Sequence, residues 1–87
     1  MRVITGTARG KNLKTLDNMD VRPTSDRVKE AIFSIIHFDI VEADVLDLFS
    51  GSGQLGIEAL SRGARYAVFV DSSRASVEIT RENLIST

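Results

Sequence analysis

At 87 residues, with 43% apolar and 26% charged side chains and a formal net charge of −1, the chain has the composition of an ordinary globular protein and the length of at most one small domain. It has no cysteine and one histidine, His37, which excludes disulfides and thiolate metal sites, and no metal site is expected. No apolar run approaches the roughly 18 residues of a membrane span, and no signal-peptide pattern is present, so the default location is cytoplasmic.

The charge is unevenly spread. Residues 1–16 carry Arg2, Arg9, Lys11 and Lys14 and no acid, while residues 41–87 carry four basic and seven acidic side chains. A basic arm on an acidic body suggests an anionic partner for the arm, although a solvated hairpin face gives the same composition.

In chain order, residues 1–16 read as two short strands of a β-hairpin, punctuated by Gly6 and Gly10. Residues 17–22 are polar and loop-like. Thr24 or Ser25 can cap a helix whose first turn holds Asp26, with Val28, Ala31, Ile32, Ile35 and Ile36 on one face. That helix is expected to run to about Phe38. Ala43–Phe49 is mostly apolar, the pattern of a parallel strand buried on both faces. A helix over Leu55–Ser61 follows, stopped by Gly63. Ala67–Val70 is a second buried strand, and Ser72 or Ser73 caps a last helix reaching about Leu84, supported by Arg74 and Glu78. The order β-α-β-α predicts a parallel sheet with right-handed crossovers. Residues 1–21 thus form an arm and loop, and residues 22–87 the opening of an α/β domain.

Gly51, Gly53 and Gly56 form G-x-G-x-x-G between a strand and a helix, and Asp71 follows Gly51 by 20 residues, after the next strand. Glycines let the backbone turn sharply against a ligand, and a carboxylate at that separation can meet ribose hydroxyls. An ordinary turn is the alternative for the glycines, and a helix cap with Ser72 is the alternative for Asp71. Asp47, four residues before Gly51, favours one nucleotide over another. It would repel the pyrophosphate of a NAD-type dinucleotide but suits an ammonium group. S-adenosylmethionine carries an ammonium and a sulfonium and no phosphate. A buried acid satisfied by loop N–H groups is the structural reading of Asp47 and is compatible with binding.

Three groups of residues carry a wider resemblance: Arg2-Val3-Ile4, Gly6, Arg9-Gly10 and Leu13; Arg22-Pro23-Thr24 with Arg27-Val28-Lys29-Glu30-Ala31-Ile32-Phe33; and Val45-Leu46-Asp47-Leu48-Phe49, Gly51-Ser52-Gly53 and Gly56 with Glu58-Ala59-Leu60-Ser61-Arg62-Gly63-Ala64. Together, and in this order, they resemble the bacterial 16S ribosomal RNA guanine-N2 methyltransferases across nearly the whole chain. The resemblance implies a Rossmann-like S-adenosylmethionine methyltransferase fold acting on a guanine amino group of small-subunit ribosomal RNA. It implies that Asp47, Phe49, Ser50, Gly51, Ser52 and Gly53 cradle the cofactor. Asp71 and Ser72 would hold its nucleoside, and Arg22 and Thr24 would help close the pocket. Arg9, Lys11 and Lys14 would touch RNA.

The sequence departs from that family in one respect. Such enzymes hold the target amino group with an Asp/Asn-Pro-Pro-aromatic motif after the fourth strand, and this chain has one proline, Pro23. The expectation is therefore an incomplete fold, the first half of the enzyme, with no catalytic residue of its own. A non-catalytic cofactor- or RNA-binding module remains the first alternative, and a NAD-type dinucleotide-binding fragment, whose loop would have to accept pyrophosphate despite Asp47, the second. Self-association or a complementing C-terminal half is expected to supply what the sheet lacks.

Overall fold

The computed structural model describes residues 2–14, 25–48 and 51–87. Its elements are helices α1 (Asp26–Ile35) and α2 (His37–Ile40), strand β1 (Asp44–Leu48), helix α3 (Gln54–Ser61), strand β2 (Tyr66–Val70) and helix α4 (Arg74–Ser86). The β-α-β-α order anticipated after residue 43 is present, and β1 pairs with β2 in parallel, Asp44 opposite Tyr66 and Leu48 opposite Val70. This is a small α/β unit of Rossmann-like type.

Among the described residues, the expected N-terminal hairpin shows one antiparallel bridge, Arg2 opposite Asn12. The Val3 N–H donates to the Lys11 carbonyl at 3.0 Å, and the Gly10 N–H to the Val3 carbonyl at 2.9 Å. Other backbone donors of the arm bond to α3. Ile4 and Thr5 donate their N–H groups to the two Glu58 carboxylate oxygens at 2.8 and 3.0 Å. Thr7 donates to the Ser61 carbonyl at 2.8 Å and Ala8 to Ser61 Oγ at 2.9 Å. The arm is thus a strap on α3, since a backbone group already bonded to α3 cannot also extend a ladder. Val3 and Leu13 seal it by forming a core cluster with Ile57.

Ser25, one of the two anticipated caps, starts α1: its Oγ accepts from the Val28 N–H at 3.3 Å. The helix does not run unbroken to Phe38. Ile36 leaves helical geometry (φ −100°, ψ 16°), and α2 starts after it. The break carries Ile40 into a second core cluster with Phe33 and Ala59. The face read from the apolar spacing is not the buried one either. Ile35 is 83% exposed and Val28 half exposed, whereas Lys29 and Phe33 are buried. Lys29 is drawn inward because its ammonium has partners there, Glu58 and the Arg2 carbonyl.

The strands match their expected positions, but burial on both faces does not hold. Val45, Asp47, Ala67 and Phe69 lie on the better buried face, and α3 packs against both strands. The opposite face, with Leu46, Leu48, Tyr66, Val68 and Val70, is exposed, because the elements described here cover one side of the sheet. Helix α4 buries a polar stripe, Ser76, Thr80 and Asn83, and leaves Val77 and Ile85 exposed.

Candidate functional site

The glycine loop and Asp71 follow the carboxyl ends of two adjacent parallel strands, the edge where open α/β sheets bind ligands. Asp71 sits one residue beyond β2 and ties the two strand ends together. Its Oδ2 accepts from the Gly51 N–H at 3.0 Å and its Oδ1 from the Ser73 N–H at 2.9 Å. These two bonds, Ser73 foremost, hold the Asp71 carboxyl below the usual carboxylate range. A carboxylate has about four acceptor positions, so two backbone donors leave capacity for hydroxyl groups of a ligand.

Asp47 points from β1 to the start of α3, where its Oδ2 accepts from the Gly56 N–H at 3.1 Å. It is 7% exposed. Burial pushes its pKa up, against the Gly56 bond, and the negative charge of Asp71 pushes the same way. An approaching cation would relieve both effects, and an approaching phosphate would worsen them.

Two glycines set the loop's shape. Gly51 has φ +56°, and a Cβ there would face open space. Gly53 has φ +84° and caps α3, and its Cβ position lies 2.8 Å from Thr80 Cγ2. Ser52 is buried between these two, with its carbonyl accepting from Asn83 Nδ2 at 2.8 Å.

The structure therefore brings Asp47, Gly51, Ser52, Gly53 and Asp71 together around one loop. Ser72 lies beside Asp71 and is exposed. Phe49, Ser50, Arg22 and Thr24 fall outside the described residues. Among the described residues, no group of three or more His, Asp or Glu side chains could hold a metal, and no helix is long and apolar enough to cross a membrane.

The basic arm is less uniform than its composition. Arg2 meets Asp26 at 3.7 Å and Lys14 meets Glu82 at 3.3 Å. Arg9 and Lys11 are exposed and meet no carboxylate among the described residues. Exposed pairs of this type are worth about 0–1 kcal/mol, so Lys14 is only weakly held from another anion.

Three side chains that hold the loop and the arm escaped the sequence reading. Thr80 Oγ1 donates to the Gly51 carbonyl at 2.9 Å, Asn83 grips Ser52 and Lys14, and Glu58 grips the arm. Thr80 and Asn83 share one face of α4 at a spacing of three, a signal present in the sequence but indistinguishable from a solvated helix face.

The family described as Conserved hypothetical protein 95 matches residues 1–87. YlbH of Bacillus subtilis is 48% identical over 86 residues, which cover 97% of this chain and 46% of YlbH. The Ribosomal RNA small subunit methyltransferase D of Escherichia coli is 44% identical over 84 residues, 97% of this chain and 42% of that protein. The solved structure of yhhF from Escherichia coli superposes with a TM-score of 0.87 at 44% identity, over 98% of this chain and 46% of that one. The chain thus spans a little under half the length of the curated relatives it matches.

Proposed function

The chain belongs to the Conserved hypothetical protein 95 family, and from that premise we propose that it is the cofactor-holding part of an S-adenosylmethionine-dependent methyltransferase. Its target is the exocyclic amino group of a guanine in small-subunit ribosomal RNA. The observation that carries this reading is the joint placement of Asp47 and Asp71 around the glycine loop at the ends of two parallel strands. Naming of the Escherichia coli relative as a small-subunit ribosomal RNA methyltransferase supports the RNA substrate.

The donor set fits the cofactor. Asp71 has spare acceptor positions for ribose hydroxyls, Gly51 is open toward the loop's outer side, and Asp47 is an acid whose ionised form is destabilised until a cation meets it. Phe49, Ser50, Ser52, Gly53, Ser72, Arg22 and Thr24 complete the proposed pocket. Arg9, Lys11 and Lys14 form the RNA contact. When bound, S-adenosylmethionine supplies a methyl group already activated by its sulfonium, so the protein contributes orientation more than acid or base chemistry.

The chain has one proline, Pro23, and so no Asp/Asn-Pro-Pro-aromatic motif to hold the target amino group. We assign to it cofactor binding and RNA contact, with methyl transfer depending on a complementing half of the fold. The exposed sheet face of Leu46, Leu48, Val68 and Val70 is where that half would pack. Titration with S-adenosylmethionine, together with methyl incorporation into unmodified small-subunit ribosomal RNA, tests the assignment. Binding without methylation by the 87-residue chain is expected, and no cofactor binding overturns it.

A further inference from the structure

We propose that Asn83 is a positioning residue that couples the cofactor loop to the basic arm, so that ordering one orders the other. The proposal rests on the functional reading above and adds a linkage between its two ligands. Helix α4 lies at a junction. One Asn83 side chain, 1% exposed, spends both of its N–H donors and one acceptor position on two segments distant in sequence. Its Oδ1 accepts from the Lys14 N–H at 2.7 Å, and its Nδ2 donates to the Lys14 carbonyl at 2.9 Å and to the Ser52 carbonyl at 2.8 Å. Lys14 belongs to the arm and Ser52 to the glycine loop.

One turn earlier, Thr80 Oγ1 bonds the neighbouring Gly51 carbonyl at 2.9 Å, fixing the loop to the same helix face. A buried amide whose two donors are both engaged cannot lose one partner without a cost, because the freed group finds no water. Displacement of Ser52 therefore disturbs Lys14 through one planar group, and displacement of Lys14 disturbs Ser52. The Glu58 and Ser61 side chains bond residues 4–8 and Lys29 bonds the Arg2 carbonyl, and among the described residues none of these side chains hydrogen-bonds the loop. Asn83 is the junction between the two sites.

Coupling between two binding sites is reciprocal, so one affinity measured in two states reads it. The experiment is calorimetric titration of S-adenosylmethionine into the protein, with and without saturating small-subunit ribosomal RNA transcript, for the unaltered chain and for Asn83→Asp. The substitution keeps the acceptor for the Lys14 N–H and sets an oxygen against the Lys14 and Ser52 carbonyls. RNA should tighten cofactor binding about fivefold or more in the unaltered chain, and Asn83→Asp should remove that difference.

Amide exchange on the unaltered protein makes the same test without substitution. Saturating S-adenosylmethionine should slow exchange of the Lys14 N–H and leave the Ala8 N–H, held by Ser61, unchanged. Failure of the unaltered chain to bind cofactor overturns the functional reading and the coupling with it. Binding of both ligands without linkage, linkage that survives Asn83→Asp, or a Lys14 amide indifferent to cofactor overturns the coupling alone.

Discussion

Lys29 and Glu58 meet at 3.5 Å between Nζ and Oε1, with neither side chain exposed to solvent. Around this pair, Lys29 donates to the Arg2 carbonyl at 2.9 Å, and Glu58 accepts from the Ile4 and Thr5 N–H groups and from Arg62 Nε. Removing one member of a buried pair leaves the other charge uncompensated, at about 3–5 kcal/mol. Glu58→Gln should therefore cost about that much in urea denaturation. The double variant Lys29→Met, Glu58→Gln should cost less than the two single substitutions added, since neither charge is then stranded.

Glu58 also sets an acid limit. Burial pushes its pKa up, but the Ile4, Arg62 and Thr5 bonds and the Lys29 charge outweigh burial and hold it below the ordinary value. A depressed carboxylate contributes its stability above the unfolded pKa, about 4.3 for glutamate, and loses it as pH falls through the lower folded value. The unaltered chain should lose stability steeply below about pH 4, and Glu58→Gln should show a shallower slope in that window.

Asp47 carries the opposite sign. Its folded pKa is raised, so its ionised form costs stability at every pH above that value. Asn in its place can still accept from the Gly56 N–H. Asp47→Asn should raise the melting temperature at neutral pH and weaken S-adenosylmethionine binding, a trade of stability for function. A thermal melt and a calorimetric titration on the same sample check both halves.

The order of elements was legible from residue 43 onward because apolar runs, glycines and caps all agree there. The loop residues with their acid at Asp71 were legible for the same reason. The polarity of buried positions was not. Nothing in the sequence pairs Lys29 with Glu58, which meet only in the fold. Thr80 and Asn83 read as a solvated face until the Gly51 and Ser52 carbonyls are found beneath them. Hydrophobic spacing likewise pointed to Val28 and Ile35 as the inner face of α1, where a buried ion pair turned the helix otherwise.

The arm yields a graded prediction. Arg9 and Lys11 meet no acid among the described residues, whereas Lys14 shares Glu82. Arg9→Ala and Lys11→Ala should each lower RNA affinity and reduce the salt slope by roughly 0.7–0.9, the loss of one phosphate contact. Lys14→Ala should do less, since part of its charge already faces Glu82. S-adenosylmethionine affinity measured without RNA should stay unchanged in Arg9→Ala and Lys11→Ala.

In the proposed site, Asp71 and Asp47 hold S-adenosylmethionine against the glycine loop. Calorimetric titration of the cofactor into the protein and into Asp71→Ala tests it most directly. A charge-assisted hydrogen bond to the ribose is worth about 1.5–3 kcal/mol, so Asp71→Ala should weaken binding roughly 10- to 150-fold. Equal affinity in the unaltered protein, Asp71→Ala and Asp47→Ala would show that the two acids do not hold the cofactor.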